Sequence, residues 1–385
     1  MLDSEGARAR WPRVPENVST IVHRQLAALT AEPPALGASG RSGRRLSLDQ
    51  RFQPQLLLLV LEDILGSRNL GRSEKTAWEV HFGYGGTLCV AAFRKYGLRL
   101  EAYTNGMPDR TLDSLLLELA ELLATAVKLV ERHVFQDFIS DQVKAGAVGV
   151  VNQYGRLRGM YRHFRELTEA AHNGDGQLTS LPSSSGGLWL LAAQTEGFYT
   201  TVAMVNAYFS YLEHLFVLML PFSGFDASKE DLVSFLKGKL GDKFKRVIPL
   251  AGNSDAQKFY DRLRSIAEEF RNTHVHGGFD KRHGGLIVLC AGGALRADIA
   301  TRRGGPYYEL VPVDEGEFEH VCAIFDEFDA WIAPTRGHRW AVAGLTVAFD
   351  PASVATYADA ADDAAFDNLL KRTSYMEERN ANMDW

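Results

Sequence analysis

The chain has 385 residues, which is longer than one ordinary domain and leaves room for two. Hydrophobic residues make up 46% and charged residues 23%, as in globular proteins, and this composition excludes a disordered or fibrous chain. The formal net charge of −6 excludes a protein that coats nucleic acid through general positive charge, so any RNA contact requires a local cationic patch.

The cysteines and the apolar runs indicate a cytoplasmic protein without a membrane segment. Cys89, Cys290 and Cys322 are widely spaced and form no C-x-x-C pair of the zinc or redox type. The polar stretch from Met1 to Trp11 has no signal-peptide pattern, and the apolar run from Leu56 to Leu61 is far shorter than the roughly 20 residues that span a bilayer. We expect no metal and no cofactor.

The N-terminal half predicts a small α/β domain. Residues 1–50 are rich in Pro, Gly, Ser and Arg, and we expect a disordered arm because so few large apolar groups cannot offset the ordering entropy. Residues 51–172 predict an N-terminal α/β domain that acts as a sensor or positions RNA. Its expected elements are a helix over 55–65, β-runs over 78–90 and 98–103, and helices over 115–130 and 150–171.

The C-terminal half predicts a helical domain over 188–350, after a linker over 173–187 that is rich in Gly and Ser. Apolar residues recur at alternating spacings of four and three from Phe198 to Met219, which predicts a helix with one apolar stripe that ends at Pro221. Further helices are expected over 229–240, 254–276 and 315–332, with a β-hairpin over 285–313 between the last two. Residues 351–385 are rich in Ala and Asp, and we expect an acidic C-terminal tail that can form a loosely held helix.

The hexapeptide Arg271-Asn272-Thr273-His274-Val275-His276 carries the clearest chemical signal. Cleaving RNA without a metal requires a base for the 2′-hydroxyl proton, an acid for the leaving 5′-oxygen and a fixed cation for the phosphate. Histidine can serve as acid or base near neutral pH, and arginine presents a charged planar fork to phosphate oxygens.

This arrangement, with Asn272 after Arg271 and Gly277-Gly278 after His276, resembles the signature of HEPN domains (higher eukaryote and prokaryote nucleotide-binding). The resemblance covers only the C-terminal half. It implies a HEPN-like four-helix bundle, here with an inserted β-hairpin, that pairs as a two-fold homodimer with the Arg and His of both subunits in one cleft. It also implies a metal-independent endoribonuclease of antiviral defence or a toxin system.

Two features of the hexapeptide limit how it is read. Five helical steps place Arg271 and His276 roughly 140° apart, so either the last turn unwinds or a second subunit completes the site. An arginine followed by a histidine after four to six residues also occurs by chance, as at Arg165 and His172. The hypothesis therefore depends on Asn272, on the glycine pair and on the position at a helix end.

Accessory residues follow from the same hypothesis. His274 is a candidate for the cleft, although an exposed histidine explains it as well. Glu213 interrupts the apolar stripe and is either an ion-pair partner of Arg271, as the resemblance suggests, or a solvated flank of its helix.

Two cationic segments are candidates for RNA binding. Lys237, Lys239 and Lys243 belong to a Lys-rich stretch that a solvated surface also explains. Arg158 and Arg162 lie in a segment that mixes cations with aromatic rings, as nucleic-acid surfaces do, but amphipathic packing explains the rings equally.

Three functions remain open on the sequence. The preferred hypothesis is the dimeric endoribonuclease, in which Arg271 stabilises phosphate, His276 transfers protons, Asn272 assists and the N-terminal domain binds a regulatory partner or trigger. The alternatives are a non-catalytic HEPN-like module that binds nucleotide or RNA, and a plain dimerising bundle in which the motif is a coincidence.

Overall fold

The computed structural model describes residues 12–35, 41–49, 52–105, 108–176, 190–268, 286–290, 293–302, 305–309, 315–360 and 362–383. The chain divides into a first unit, Met1–Ala145 with Lys371–Trp385, and a second unit, Gly146–Leu370. Most of the described residues are helical, and the strands among them pair antiparallel. The prediction of a mainly α chain with α+β elements is confirmed at this level.

The first unit contains a five-stranded antiparallel sheet. Its strands are β1 (Leu29–Thr30), β2 (Arg41–Ser47), β3 (Thr76–Tyr84), β4 (Thr87–Arg94) and β5 (Gly97–Asn105), in the spatial order β1-β3-β4-β5-β2. Gly85 and Gly86 both have positive φ and join β3 to β4 through a two-residue turn, in which Tyr84 pairs with Thr87. A left-handed backbone conformation at both turn residues matches the twist of a tight hairpin, and glycine adopts this conformation without strain.

Helices cover one face of this sheet. They are α1 (Glu16–Gln25), α2 (Pro54–Leu59) with a π-helical turn over Val60–Ile64, and α3 (Asp109–Val130), which continues through a π-helical turn over Glu131–Phe135 into α4 (Gln136–Lys144). In α3, Leu112, Leu116, Leu119 and Leu123 recur at helical spacing and join one core with the sheet residues Val80, Phe82, Leu100 and Ala102. The long helix predicted here from the Leu-rich pattern is confirmed.

The expectation of a disordered arm over residues 1–50 is corrected for its described part. Val18 and Val22 of α1 are buried in the core of the first unit, and β2 pairs with β5 along seven residues. The physical reason is that two valines at helical spacing suffice to dock a short helix, whereas an edge strand is held by backbone hydrogen bonds and needs few apolar side chains.

The second unit is mainly helical. Its elements are β6 (Gly149–Val150), α5 (Tyr154–His172), α6 (Leu190–Met219), α7 (Leu232–Lys237), α8 (Leu240–Val247), α9 (Ser254–Ile266), β7 (Leu286–Cys290), β8 (Gly293–Arg302), β9 (Gly305–Glu309), α10 (Glu315–Ile332), α11 (Arg336–Val342), β10 (Val347–Ala348), α12 (Pro351–Asp359) and α13 (Asp363–Asn382). The last residues of α13, from Lys371, belong to the first unit.

Helix α6 is the centre of the second unit. It ends at Met219, one residue before a 3₁₀ turn that contains Pro221, as the sequence predicts. The predicted single stripe is too narrow, because Tyr208 and Tyr211, which lie off that stripe, are as buried as Phe209. A helix that is apolar on most of its circumference must be covered from several sides.

The neighbours of α6 run in both directions. Helix α5 is antiparallel to it, since Tyr154 contacts Tyr211 and Tyr161 contacts Tyr208. Helix α10 is parallel to it, with the rings of Phe325 and Tyr208 stacked at a centroid distance of 3.6 Å. By length and composition Glu196–Ser223 is also apolar enough to cross a membrane, and 67% of its most apolar window is buried inside the protein.

The domain boundary differs from the prediction. The units divide between Ala145 and Gly146 rather than over 173–187, and residues 177–189 lie outside the described part of the chain. Helix α5 belongs with the second unit because it packs along α6, and β6 pairs with β10 beyond α11. Helix α5 has few aliphatic residues, so its docking through tyrosines gave only a weak sequence signal.

The remaining elements refine the predictions. The Lys-rich helix over 229–240 is two short helices, α7 and α8, separated at Gly238. The hairpin is a three-stranded antiparallel meander in the order β7-β8-β9. The acidic tail is helical, as α12 and α13, and it is firmly packed rather than loosely held, because Tyr357 and Phe366 are buried beside Trp340.

Candidate functional site

The hexapeptide that carries the proposed chemistry follows α9. Its residues Arg271, Asn272, His274 and His276 lie outside the described part of the chain. The preceding helix is well defined: the Asn253 side chain accepts a hydrogen bond from the backbone N–H of Ala256, and Phe259, Leu263 and Ile266 face the core. Among the described residues, no group of three or more His, Cys, Asp or Glu side chains could hold a metal ion.

Glu213 has a described partner in a different helix from the one expected. Its Oε2 atom lies 3.3 Å from Nζ of Lys243 on α8, whose side chain is only 6% exposed. A buried ammonium group is strongly destabilising without a countercharge, so this pair couples α6 to α8. The hypothesis that Glu213 pairs with Arg271 stays a prediction, because Arg271 is not among the described residues.

The three lysine candidates for RNA binding differ in their exposure to solvent. Lys237 and Lys239 are exposed and remain candidates. Lys243 is corrected, because a lysine that is 5% exposed and paired with Glu213 cannot contact a phosphate at the surface. Lys243 is buried because it lies on the inner side of α8, next to the buried Phe244.

The cations of α5 also separate into two groups. Arg158 lies with its Nη2 atom 3.3 Å from Oδ2 of Asp329, and Arg165 binds Asp326 through both terminal nitrogens. Arg158 is thereby corrected as an RNA-binding candidate, because its charge is already neutralised inside the unit. Arg162 is exposed and remains a candidate, together with Arg156 and His163, which are also exposed.

Asp329 is the centre of a buried polar network that sequence reasoning missed. Its carboxylate, 13% exposed, accepts hydrogen bonds from the hydroxyls of Tyr208 at 3.1 Å and Tyr211 at 3.4 Å, in addition to its ion pair with Arg158. Burial raises the pKa of Asp329, and Arg158 and the two hydroxyls oppose this rise in part. The network therefore joins α10 to α5 and α6.

His338 on α11 extends the network. Arg158 donates to the hydroxyl oxygen of Tyr154, and that hydroxyl lies 3.2 Å from Nε2 of His338. Nε2 can accept the proton of that hydroxyl when the imidazole proton is on Nδ1, and the ring has a second hydrogen-bond partner in the backbone of Ala333. Burial and the nearby guanidinium lower the pKa of His338 to about 4.

The network stabilises structure rather than performing chemistry. Burial raises the pKa values of Tyr208 and Tyr211, so both hydroxyls stay protonated and act as donors to Asp329. A general base or nucleophile needs an accessible reacting atom, whereas the Asp329 carboxylate and the tyrosine hydroxyls of this network already bind one another or Arg158. Asp329 is thus an internal anchor of α10.

A sequence signal for this anchor exists in retrospect. Tyr208 and Tyr211 lie within the most apolar helix of the chain, and a buried tyrosine hydroxyl requires a hydrogen-bond partner. The pattern cannot say which of the many Asp, Glu, Asn or backbone groups is that partner.

Comparisons with known proteins give no family for this chain. No protein-family model, no curated protein and no solved structure matches it.

Replacing Asp329 by Ala is expected to destabilise the second unit by about 2–3 kcal/mol, because it leaves the partly buried Arg158 guanidinium and the buried hydroxyls of Tyr208 and Tyr211 without their acceptor. The matched change Asp326→Ala, three residues earlier on the same helix, removes an exposed carboxylate and should cost about 1 kcal/mol or less. Urea denaturation followed by near-ultraviolet circular dichroism measures both. Equal losses for the two variants would contradict the anchoring role of Asp329.

Acidification is expected to destabilise the second unit through His338. Because its folded pKa is about 4 and an unfolded histidine has a pKa near 6.5, the unfolded chain binds the proton first, and stability falls as the pH drops below about 6.5. The loss between pH 7.5 and pH 5 is about 2 kcal/mol. Asp329, with a raised pKa, acts in the opposite direction at lower pH.

The variant His338→Gln should lack this loss, because glutamine does not titrate, whereas exposed His163→Gln should keep it. Urea midpoints at the two pH values, compared with those of the wild type, separate the contributions. An unchanged pH dependence in His338→Gln would show that His338 does not carry it.

Proposed function

We propose that this chain is a metal-independent endoribonuclease of the HEPN type that acts on RNA. The observation that carries the proposal is the hexapeptide itself, in which Arg271-Asn272 is followed by His276 and by Gly277-Gly278, in the part of the sequence that follows helix α9. Arg271 stabilises the phosphate, His276 transfers protons, and Asn272 and His274 assist.

The proposed reaction is an internal transfer of the phosphoryl group. The 2′-hydroxyl loses its proton to a base and attacks the adjacent phosphorus, and the bond to the 5′-oxygen breaks as an acid protonates that oxygen. The products are a 2′,3′-cyclic phosphate and a free 5′-hydroxyl. Arginine offsets the negative charge that grows on the phosphate oxygens, so no metal ion is required.

The packing of the second unit supports a HEPN-like bundle as its scaffold. Helices α6, α8, α9 and α10 follow the order that the resemblance implies, and one aromatic cluster joins them. Its ring centroids lie 5.5–5.9 Å apart and belong to Phe216, Phe244, Phe328 and Phe259. Helix α5 packs against α6 outside this set, as an addition to the four expected helices.

The wider setting is part of the same proposal. The catalytic groups of two subunits meet in one cleft of a homodimer, the protein acts in the cytoplasm in antiviral defence or as a toxin, and the first unit binds the regulatory partner or trigger. The five-stranded sheet of that unit and its covering helices form a core of their own, which suits a separate recognition module.

Replacing Arg271 or His276 by Ala is expected to abolish cleavage, by at least about a hundredfold, because each removes a group required in the transition state. Purified protein is incubated with a mixed RNA pool in EDTA, and the cleaved ends are mapped. The wild type should leave 2′,3′-cyclic phosphates.

Control variants for this assay are Arg264→Ala, an exposed arginine of α9, and His23→Ala, an exposed histidine of α1. Both should cleave like the wild type. Full activity of either motif variant would end the assignment of the motif. RNA binding without any cleavage by the wild type would support the non-catalytic module instead.

The homodimer is expected to contribute residues from both subunits, because five steps of an unbroken helix would separate Arg271 and His276 by roughly 140°. Light scattering after size exclusion should give twice the chain mass. Coexpressed Arg271→Ala and His276→Ala chains should recover part of the cleavage if one intact Arg and one intact His can meet across the interface. A monomer with full activity would contradict the shared cleft.

A further inference from the structure

Helix α5 presents a cationic surface that the proposed catalytic motif does not use. From Tyr154 to Arg165 the sequence contains four arginines and one histidine and no acidic residue. Two of those arginines, Arg158 and Arg165, are neutralised by acids of α10. The charges left to interact outside the unit are those of the exposed Arg156 and Arg162, with His163 beside them.

The exposed residues occupy one arc of the helix. At about 100° per residue, Gly155 and Gly159 lie within about 40° of each other on the outer face. Arg162 lies about 20° to one side of Gly155, and Arg156 and His163 lie about 40–60° to the other side of Gly159. The arc is therefore a floor of two glycines with cationic side chains on both flanks, which we call the α5 saddle: Gly155, Arg156, Gly159, Arg162 and His163.

The packing of the unit gives no reason for the two glycines. Both are exposed, and a Cβ atom placed on either would have no atom of the described residues within 4 Å. Neither has the positive φ that favours glycine. Gly159 lies in the interior of α5, where a glycine costs about 1 kcal/mol relative to alanine, and no internal contact offsets that cost; Gly155 lies in the first turn, where the cost is smaller.

The acidic residues of α5 lie toward its C-terminal end, so the two ends of this helix differ in charge. Glu166 lies on the same arc but at the C-terminal end, one turn after Arg162, and Glu169 binds Arg165. Positive charge is thus confined to the N-terminal two thirds of the helix. The net charge of the whole chain is −6, so this local excess is a departure from the general composition.

We infer that the α5 saddle docks the sugar-phosphate backbone of RNA, with Arg156 and Arg162 on phosphates and the two glycines allowing the strand to approach the helix closely. This inference rests on the proposed function, because it assigns a binding surface to the substrate of that reaction. Guanidinium groups bind phosphate oxygens through paired N–H donors, and the ring N–H of His163 is a further donor. Such contacts carry affinity and little base specificity.

The saddle fits a phosphate backbone better than a protein surface. Among the described residues of α5 the exposed large apolar side chain is Met160, at 39% exposure, and Val151 precedes the helix; these two separate side chains do not form the desolvated apolar centre that a protein partner needs. A second copy of the same helix would bring like charges together.

The test measures binding separately from cleavage. A 2′-O-methyl oligonucleotide of mixed sequence cannot be cleaved through its 2′-oxygen, and its binding to the full chain is followed by fluorescence anisotropy in EDTA at several salt concentrations. Arg156→Glu with Arg162→Glu should weaken binding at least about tenfold, and the loss of two phosphate contacts on a single strand should reduce the salt slope by roughly 1.4.

Two further variants act as controls. Lys371→Glu with Arg372→Glu makes the same change in net charge at exposed positions of α13 and should bind like the wild type. Gly159→Gln places a neutral side chain on the saddle floor, and it should weaken binding while the helix becomes more stable, because glutamine is the better helix former.

The outcomes separate this inference from the proposed function. Wild-type binding that the saddle variants lose and the α13 variant keeps supports the inference, even if the chain cleaves no RNA. No wild-type binding, equal loss in the α13 variant, or binding by Arg156→Glu with Arg162→Glu within twofold of the wild type overturns it. In the last case RNA cleavage by the wild type would still uphold the nuclease.

Discussion

The ion pair between Arg158 and Asp329 is the interaction on which the second unit depends. It brings a cation of α5 and an anion of α10 into an interior formed largely by the aromatic rings of α6. The hydroxyls of Tyr208 and Tyr211 donate to the carboxylate, and Arg158 donates to the hydroxyl of Tyr154, which contacts His338. A buried pair of this kind adds little net stability, but breaking it is costly, so it selects one arrangement of helices over others.

That constraint also sets the outer surface of α5. A helix has one rotational setting once Tyr154, Arg158 and Tyr161 face inward, and the residues on the opposite arc are then exposed whatever their chemistry. Arg156, Arg162 and the two glycines are exposed for this reason. The internal anchor and the proposed RNA-docking surface are two sides of the same helix.

The aromatic cluster of Phe216, Phe244, Phe259 and Phe328 works alongside the polar network. Aromatic rings bury apolar area and make edge-to-face contacts that do not require one particular partner. They therefore hold α6, α8, α9 and α10 together but permit more than one arrangement of these helices. The ion pair between Lys243 and Glu213 restricts how α8 can be arranged against α6. Polar pairs therefore specify the geometry that the rings stabilise.

The sequence by itself determined the local elements and the candidate chemistry. Apolar spacing placed α3, α6 and α10, and Gly85 with Gly86 marked the hairpin between β3 and β4. The hexapeptide after α9 indicated phosphate chemistry. Only the tertiary structure decided that α1 and β2 join a core, that Lys243 is buried and that α5 belongs to the second unit. The reason is physical: periodicity reports which side chains avoid water, whereas the fate of a charged or tyrosine side chain depends on partners that are distant in the chain and meet it only after folding.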